Sequence, residues 1–283
     1  MNNFNLTVSV VIPAFNEQHH IRSCIEALEC QSVAPKQIIV VDNNSTDETA
    51  RIVAEYESVT LLNEARQGVR HARNKGFNAV GADIIARIDA DTVVTDKWVE
   101  QLVKFFQDNE DIVGVVGASY YYDLPLAKNK KNVSIDRFLR RLIQADKRPL
   151  LYGSNMALRQ SAWSKIQNEV CMDGEMFEDY DISIHLAEHD LRVGYEPTLV
   201  AGISARRLAD RPHVFWRNMR LHSKTFRMHG QRNLVARLSQ IGYLFAYPLF
   251  ALLYRFYDSQ EQRLHLTKKS RRHKSARPDS SHY

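Results

Sequence analysis

Ile84-Ile85-Ala86-Arg87-Ile88-Asp89-Ala90-Asp91 is an apolar run that stops on two carboxylates one residue apart. Near-continuous Ile and Val mark a strand buried on both faces of a mostly parallel sheet, since a strand with one wet face would alternate. Segments 8–13, 37–42, 59–63 and 113–118 are the other strand candidates, several of them nearly continuous Val and Ile, and 84–89 is the fourth in order. Helical patterns fall between them over 17–31, 46–57, 66–80 and 95–109. Ser45-Thr46-Asp47-Glu48 has the spacing of a capping box, which predicts the start of the second helix. Strands alternating with helices predict a doubly wound α/β sheet. Ligands of such sheets bind beyond the carboxyl ends of the strands. Three polar segments fall there: Pro13-Ala14-Phe15-Asn16, Asp42-Asn43-Asn44 and Asp89-Ala90-Asp91.

A chain of 283 residues with 44% hydrophobic and 25% charged residues buries roughly 70–75% of its unfolded surface and needs no staples. Cys24, Cys30 and Cys171 make an odd count without metal-ligand spacing, so reduced structural thiols in a cytosolic compartment are expected. Met1–Asn5 lacks the positive stretch of a secretory signal. Of the 38 basic and 33 acidic residues, six and one lie in 268–283, which leaves 32 of each in the body. A neutral body offers no basic stripe for nucleic acid. The tail reads as a solvated disordered charge block, or as one attracted to anionic headgroups at about 1 kcal/mol per basic residue.

Beyond 120 the pattern loosens. Segment 126–132 is a Lys/Asn-rich loop, and helices are expected over 133–147, 180–189 and 213–228. Segment 241–253 has no charge and contains Pro248. It falls short of the roughly 20 apolar residues that cross a bilayer, which favours a packed or interfacial helix.

Asp89 and Asp91 supply hard oxygens suited to Mg²⁺ or Mn²⁺, which would neutralise a departing diphosphate; the bland alternative is two acids capping a turn. Asp42 either makes an Asx turn or accepts hydrogen bonds from a base or ribose. Arg70, Arg73 and Asn74 form either a solvated helix face or a phosphate contact. Glu178, Asp179 and Asp181 either complement a helix dipole or include a general base. Gly153-Ser154-Asn155 either lines an acceptor pocket or turns the chain.

In order, Val10–Glu17, Val40–Asp47, Gly68–Asn74, Asp89-Ala90-Asp91, Gly153-Ser154-Asn155 and Glu178-Asp179 resemble the family-2 glycosyltransferases of the GT-A fold. The resemblance covers about residues 7–200. It implies a Rossmann-like GT-A domain over 1–205, with a nucleotide-sugar half to about 120 and an acceptor half to 205. A helical, membrane-associating segment over 206–267 and the basic tail 268–283 complete the expected organisation. It also implies inverting, metal-dependent transfer of one sugar from a nucleotide-diphosphate donor, usually a UDP-sugar, to a hydroxyl of a glycan or lipid-linked acceptor.

By the same resemblance Pro13, Ala14, Asn16, Glu17, Asp42, Asn44, Arg73 and Asp89 bind the nucleotide sugar. Asp91, with Asp89, holds the Mn²⁺ or Mg²⁺ cofactor. Asp179 is the base, with Glu178 beside it, and Gly153, Ser154 and Asn155 line the acceptor side. His213 or His222 is a candidate further metal ligand. The Gln-x-x-Arg-Trp signature of processive synthases is replaced by His213-Val214-Phe215-Trp216-Arg217, which favours single additions. The expected location is cytoplasmic, peripheral on the inner face of the membrane. The rivals are a nucleotidyltransferase, disfavoured by Pro13-Ala14-Phe15-Asn16 in place of a Gly-rich loop, and a non-catalytic nucleotide-sugar-binding protein.

Overall fold

The chain's structure, a computed structural model, describes residues 6–124, 150–172, 176–210, 212–231, 241–242, 247–249, 251–258 and 263–264. The loop and helix expected over 126–147, parts of 241–253 and the tail 268–283 lie outside these. The strands β1 (Val8–Ala14), β2 (Gln37–Asp42), β3 (Val59–Asn63), β4 (Ile84–Arg87), β5 (Val93–Val94), β6 (Ile112–Tyr121), β7 (Met156–Arg159) and β8 (Arg192–Ile203) form one sheet. Its order is β3-β2-β1-β4-β7-β6-β8-β5. The helices are α1 (Ile21–Glu29), α2 (Thr49–Val53), α3 (Val69–Asn78), α4 (Trp98–Asp108), α5 (Gln160–Ile166), α6 (Glu178–Glu188) and α7 (Pro212–Met228). A separate pair, β9 (Tyr257–Asp258) and β10 (Arg263–Leu264), lies near the C-terminus.

Side-chain alternation along each strand separates two cores. Val10, Ile12, Ile38, Val40, Ile84 and Ala86 meet α1 and α4 through Ile25, Leu28, Trp98, Leu102 and Phe106. Val11, Ile39, Val41 and Ile85 face the other way, toward Phe77 of α3, Trp163 of α5, and Ile182 and Leu186 of α6. Arg87, two residues beyond Ile85, ends β4 on the same side as α3 and α6.

Strand direction decides what reaches the upper edge. β1, β2, β3 and β4 are mutually parallel and end at the same edge, with Ala14 opposite Asp42 and Arg87 opposite Val11. β7 runs antiparallel to β4 with Met156 opposite Arg87, which sets residues 153–155 against that strand end. β6 is antiparallel to β7 and β8 is parallel to β6. β8 therefore climbs to the same edge and delivers Ser204-Ala205-Arg206 there.

Two local expectations change. Segment 84–89 leaves the sheet after Arg87, and Asp89 and Asp91 lie in the following turn, where Asp89 O accepts from Thr92 N at 2.9 Å. The capping box does not form. Helix α2 begins at Thr49 after Glu48, which makes no side-chain cap. Ser45 Oγ instead accepts from Asn16 N at 3.0 Å, and Asp47 Oδ1 accepts from Thr49 N at 2.9 Å. Tying the loop after β1 to the loop after β2 uses the polar atoms that a local cap would need.

No helix among the described residues is long and apolar enough to cross a membrane. Within 241–253, Tyr247 stacks on Phe215 with ring centroids 3.9 Å apart, whereas Leu249 and Leu252 are 58% and 56% exposed.

Helix α3 lies close on the sheet because residue 76 is glycine: a Cβ there would sit 2.3 Å from Val11 Cγ1 and 3.0 Å from Val41 Cγ2. Gly76→Ala should overpack this contact and cost about 1–3 kcal/mol. A lower urea midpoint at unchanged slope is the expected result. An unmoved midpoint would mean the helix can ride outward freely.

Candidate active site

At the carboxyl edge of the strands lies a cavity of about 350 Å³, lined by Pro13, Asp89, Asp91, Ser154, Asp179 and Arg206, among others. Phe15, Asn43, Arg70, Tyr152, Arg207 and His222 also line it. The acids of residues 89–91 and of 178–179 are thus on one cavity.

Arg87 joins them. Its guanidinium Nη2 lies 2.8 Å from Glu178 Oε1 and 3.3 Å from Asp89 Oδ1, with only 3% of the side chain exposed. Burial by itself would lower Arg87, but the charges of Glu178 and Asp89 hold it above its ordinary value. Gly153 makes room for it, since a Cβ at that position would fall 2.2 Å from the guanidinium carbon. Gly153 N in turn donates to Asp179 Oδ2 at 2.9 Å, and Tyr180 N donates to Asp179 Oδ1 at 3.0 Å. Burial, then the adjacent Glu178 charge, push Asp179 up to about 6, against the pull of Arg87. Glu178 goes the other way: burial raises it, yet Arg87 and Arg73 bring it below its usual value. Two neighbouring carboxyls are therefore split, one an ion-pair anchor and one poised to exchange a proton near neutral pH.

A second arginine organises the opposite wall. Arg206 donates to both oxygens of Glu17, from Nη1 at 2.6 Å and Nη2 at 2.5 Å, and lies 2.9 Å from Asp91 Oδ2. Burial opposes the charge on Arg206, but Glu17 and Asp91 raise it well above its ordinary value. Asp91 is itself raised, by burial first, with Arg206 opposing and Asp89 adding to the shift. Carboxylates that disfavour each other's ionisation are relieved by a cation placed between them. All the donors are hard oxygens, so the pair fits Mn²⁺ or Mg²⁺ and not a soft metal.

The other residues singled out in the sequence divide. Pro13, Ala14, Glu17, Asp89, Gly153, Ser154 and Glu178 line the cavity with Asp91 and Asp179. Asp42 is buried and off the lining: Oδ2 accepts from Ser45 N at 3.3 Å and so turns the chain, while buried Oδ1 has no hydrogen-bond partner. Asn16, at φ 54°, accepts from Thr46 N through Oδ1 at 2.8 Å and shapes the loop after β1. Asn44, at φ 64°, is exposed and away from the lining, whereas Asn43 is on it. Asn43 accepts from Gly68 N at 2.8 Å and donates to Glu64 O and Arg66 O at 3.0 and 2.7 Å, which sets the loop that opens α3.

Arg73 lies behind the cavity, fully buried, with Nη1 donating to Glu178 O at 3.0 Å. Burial lowers it to about 10 despite the Glu178 charge. Asn155 faces the core, donating to Ala118 O and Leu199 O at 2.8 and 2.9 Å and accepting from Trp98 Nε1 at 2.9 Å. His213 is exposed and off the lining. His222 is on it, with Nδ1 2.9 Å from Tyr180 Oη, and burial lowers it to about 4, so the ring is neutral at pH 7.

Comparison with known proteins decides the class. The model of glycosyl transferase family 2 matches residues 9–167. The chain belongs to this family. A curated relative, undecaprenyl-phosphate 4-deoxy-4-formamido-L-arabinose transferase of Serratia proteamaculans, is 33% identical over 121 residues, 40% of this chain and 37% of that one. The chain thus spans well under half the length of such relatives.

Among solved structures, a mannosyltransferase from Pyrobaculum calidifontis in complex with GDP-Man and Mn²⁺ has a TM-score of 0.61 at 21% identity, over 88% of this chain and 73% of that one. Glucosyl-3-phosphoglycerate synthase from Mycobacterium tuberculosis, with Mn²⁺, UDP-Glc and phosphoglyceric acid, has a TM-score of 0.56 at 20% identity, over 81% and 82%. These likenesses establish the fold as GT-A, the α/β sheet that the strand pattern anticipated.

Arg87, Arg206, Arg207 and Asn43 were not singled out as site residues from the sequence. Arg87 had a signal, being a lone charge inside an apolar strand. Removing it should leave Glu178 and Asp89 without their cation, at a cost of about 3–5 kcal/mol. Urea unfolding of Arg87→Gln is expected to show that loss. Arg22→Gln, at an exposed pair with Glu55, should leave the midpoint in place. Equal behaviour of the two variants would contradict the bridging role of Arg87.

Proposed function

We propose that the family-2 glycosyltransferase described here transfers a single sugar, with inversion, from a nucleotide-diphosphate donor to a hydroxyl of a glycan or lipid-linked acceptor. The observation that carries this reading is the shared cavity, on which the carboxyls of Asp89, Asp91 and Asp179 all lie. Asp91, with Asp89, would hold a divalent cation, which when bound supplies positive charge to the diphosphate. Pro13, Ala14, Glu17 and the free oxygen of Asp42 are assigned to the nucleoside. Arg206 and Arg207 add fixed positive charge on the same wall, complementary to phosphate oxygens.

In the transfer, Asp179 accepts the proton of the acceptor hydroxyl. The hydroxyl oxygen forms the new bond to the anomeric carbon as that carbon's bond to the diphosphate breaks, and the bonding pair leaves with the nucleoside diphosphate. Attack opposite the leaving group inverts the centre. Glu178 stays ionised and holds Arg87, which keeps Asp179 at the cavity wall. A nucleotide-bound mannosyltransferase and a UDP-glucose-bound synthase of the same fold favour a nucleotide-sugar donor. An undecaprenyl-phosphate transferase among the relatives favours a lipid-linked acceptor.

Asp179→Asn should lower kcat by about 10²–10⁴-fold, the usual worth of a general base, while leaving donor binding intact. The base must be ionised to act, so activity should rise with pH through about 6 and level off above it, as the raised Asp179 requires. A fully active variant, or one that keeps the same pH limb, would remove the assignment.

Exposed Leu249 and Leu252, followed in the sequence by the basic residues of 268–283, support a peripheral contact between 241–253 and the membrane. Sedimentation with anionic vesicles should fall when residues 241–283 are deleted and when salt is raised. Equal pelleting would refute the contact.

A further inference from the structure

We propose that Cys171, Asp181, His185 and His229 form a structural zinc site on the back of α6, away from the sugar-transfer cavity. The four donor atoms all lie within 4.8 Å of one another. Tetrahedral zinc, with bonds of about 2.0–2.3 Å, needs neighbouring donors about 3.3–3.7 Å apart, so closure on an ion takes small side-chain shifts. One pair is already there: Asp181 Oδ1 is 3.5 Å from His185 Nε2. Asp181 Oδ1 is also hydrogen-bonded to His229 Nε2 at 2.9 Å, a contact that opens by a few tenths of an ångström when an ion enters between them.

Each donor is brought by a different constraint. Asp181 and His185 are four apart on α6 and share one face. Asp181 is fully buried, and its Oδ2 accepts from Cys171 N at 2.9 Å, which holds the segment after α5 against the helix and turns Oδ1 toward the histidines. His229 follows α7, where Gly230 takes φ +67° and Gln231 N donates to Phe226 O at 2.8 Å. That helix end fixes where His229 points. The two imidazoles meet edge to face, with centroids 5.1 Å apart.

A ligand is indicated independently by His185. This side chain is 8% exposed, and its Nε2 is buried without a hydrogen-bond partner. A buried polar nitrogen left in that state costs about 1–3 kcal/mol, and it is aimed at the other three donors. Its second nitrogen, Nδ1, lies 2.9 Å from Glu188 Oε2. Orientation of a histidine by a carboxylate on the far nitrogen is the usual outer shell of a zinc ligand. Glu169 lies 3.8 Å from the same Nδ1, so the surrounding charge is predominantly negative.

A thiol with two imidazoles and one carboxylate selects zinc over Mg²⁺ or Mn²⁺, which prefer oxygens only. On binding, the thiol and any imidazole proton are released to solvent. Burial and Asp181 push the Cys171 thiol up to about 11, which is a cost the ion must overcome by deprotonating the sulfur outright. The consequence would be mechanical. Asp181 is two residues from Asp179, so the ion would lock the start of α6 to both the α5 segment and the end of α7. The sequence showed no such site because its ligands come from three separated segments, not from a short Cys/His spacing.

The full chain, purified from zinc-supplemented cells and desalted, should carry about one zinc per chain by elemental mass spectrometry, as a closed four-ligand site does. Cys171→Ala and His229→Gln should each lose the metal. Asp91→Ala should keep it, which separates this site from the cavity carboxylates. Cobalt(II) in place of zinc should give a thiolate charge-transfer band that Cys171→Ala abolishes. Should either variant fail to fold, native mass spectrometry and zinc-dependent thermal stabilisation of the unaltered chain decide the matter. Absence of bound zinc together with an unmoved melting temperature would overturn the proposal. So would zinc retained by both ligand variants, or zinc lost with Asp91→Ala.

Discussion

A guanidinium at the end of a buried strand is the constraint on which the cavity depends. Asp89, Glu178 and Asp179 converge from two segments about ninety residues apart, and carboxylates brought together in a water-poor space repel one another. Arg87 offsets that repulsion by lying between Asp89 and Glu178. Its bulk is accommodated only because residue 153 has no side chain. The same glycine's backbone N–H then holds Asp179. Strand end, glycine and helix start are therefore one arrangement, and altering any of them moves the other two.

Around this centre the charges fall into two sets. Arg87 and Arg73 serve the start of α6 and hold Glu178 below its usual value, while burial and the Glu178 charge push Asp179 up to about 6. Arg206 serves the opposite wall and links Glu17, after β1, to Asp91, after β4. Because Arg206 follows β8, the wall needs the last strand of the sheet to climb to the same edge as the first. Loops join in the same way. Asn16 and Ser45 tie the loop after β1 to the one after β2, and Asn43 ties that one to the start of α3.

Much of the fold was legible because burial on both faces writes itself as nearly continuous Val and Ile, as in β1, β2 and β4, whereas β3 at the sheet's edge is only partly buried. The acid pairs were legible for a related reason: Asp after an apolar strand, and Glu-Asp before a helical pattern, have few purely structural explanations when they occur together. Asn44 against Asn43 was not legible, since adjacent asparagines differ only in backbone conformation, and the one at φ 64° turns outward. Asn155 read as a polar acceptor-side residue, yet its amide is consumed by Ala118, Leu199 and Trp98. Local sequence cannot say which polar groups will be claimed by partners dozens of residues away.

By itself, the sequence determined the α/β alternation, the parallel strands and the stretches that end at the ligand edge, because side-chain periodicity and strand burial are local properties of the chain. Tertiary structure alone decided that β7 returns antiparallel beside β4, that Arg206 reaches Asp91 and Glu17, and that Cys171 meets His185 and His229. Those outcomes depend on strand order and direction, which are set by how two cores pack on one sheet. They leave no periodic trace in the residues that meet.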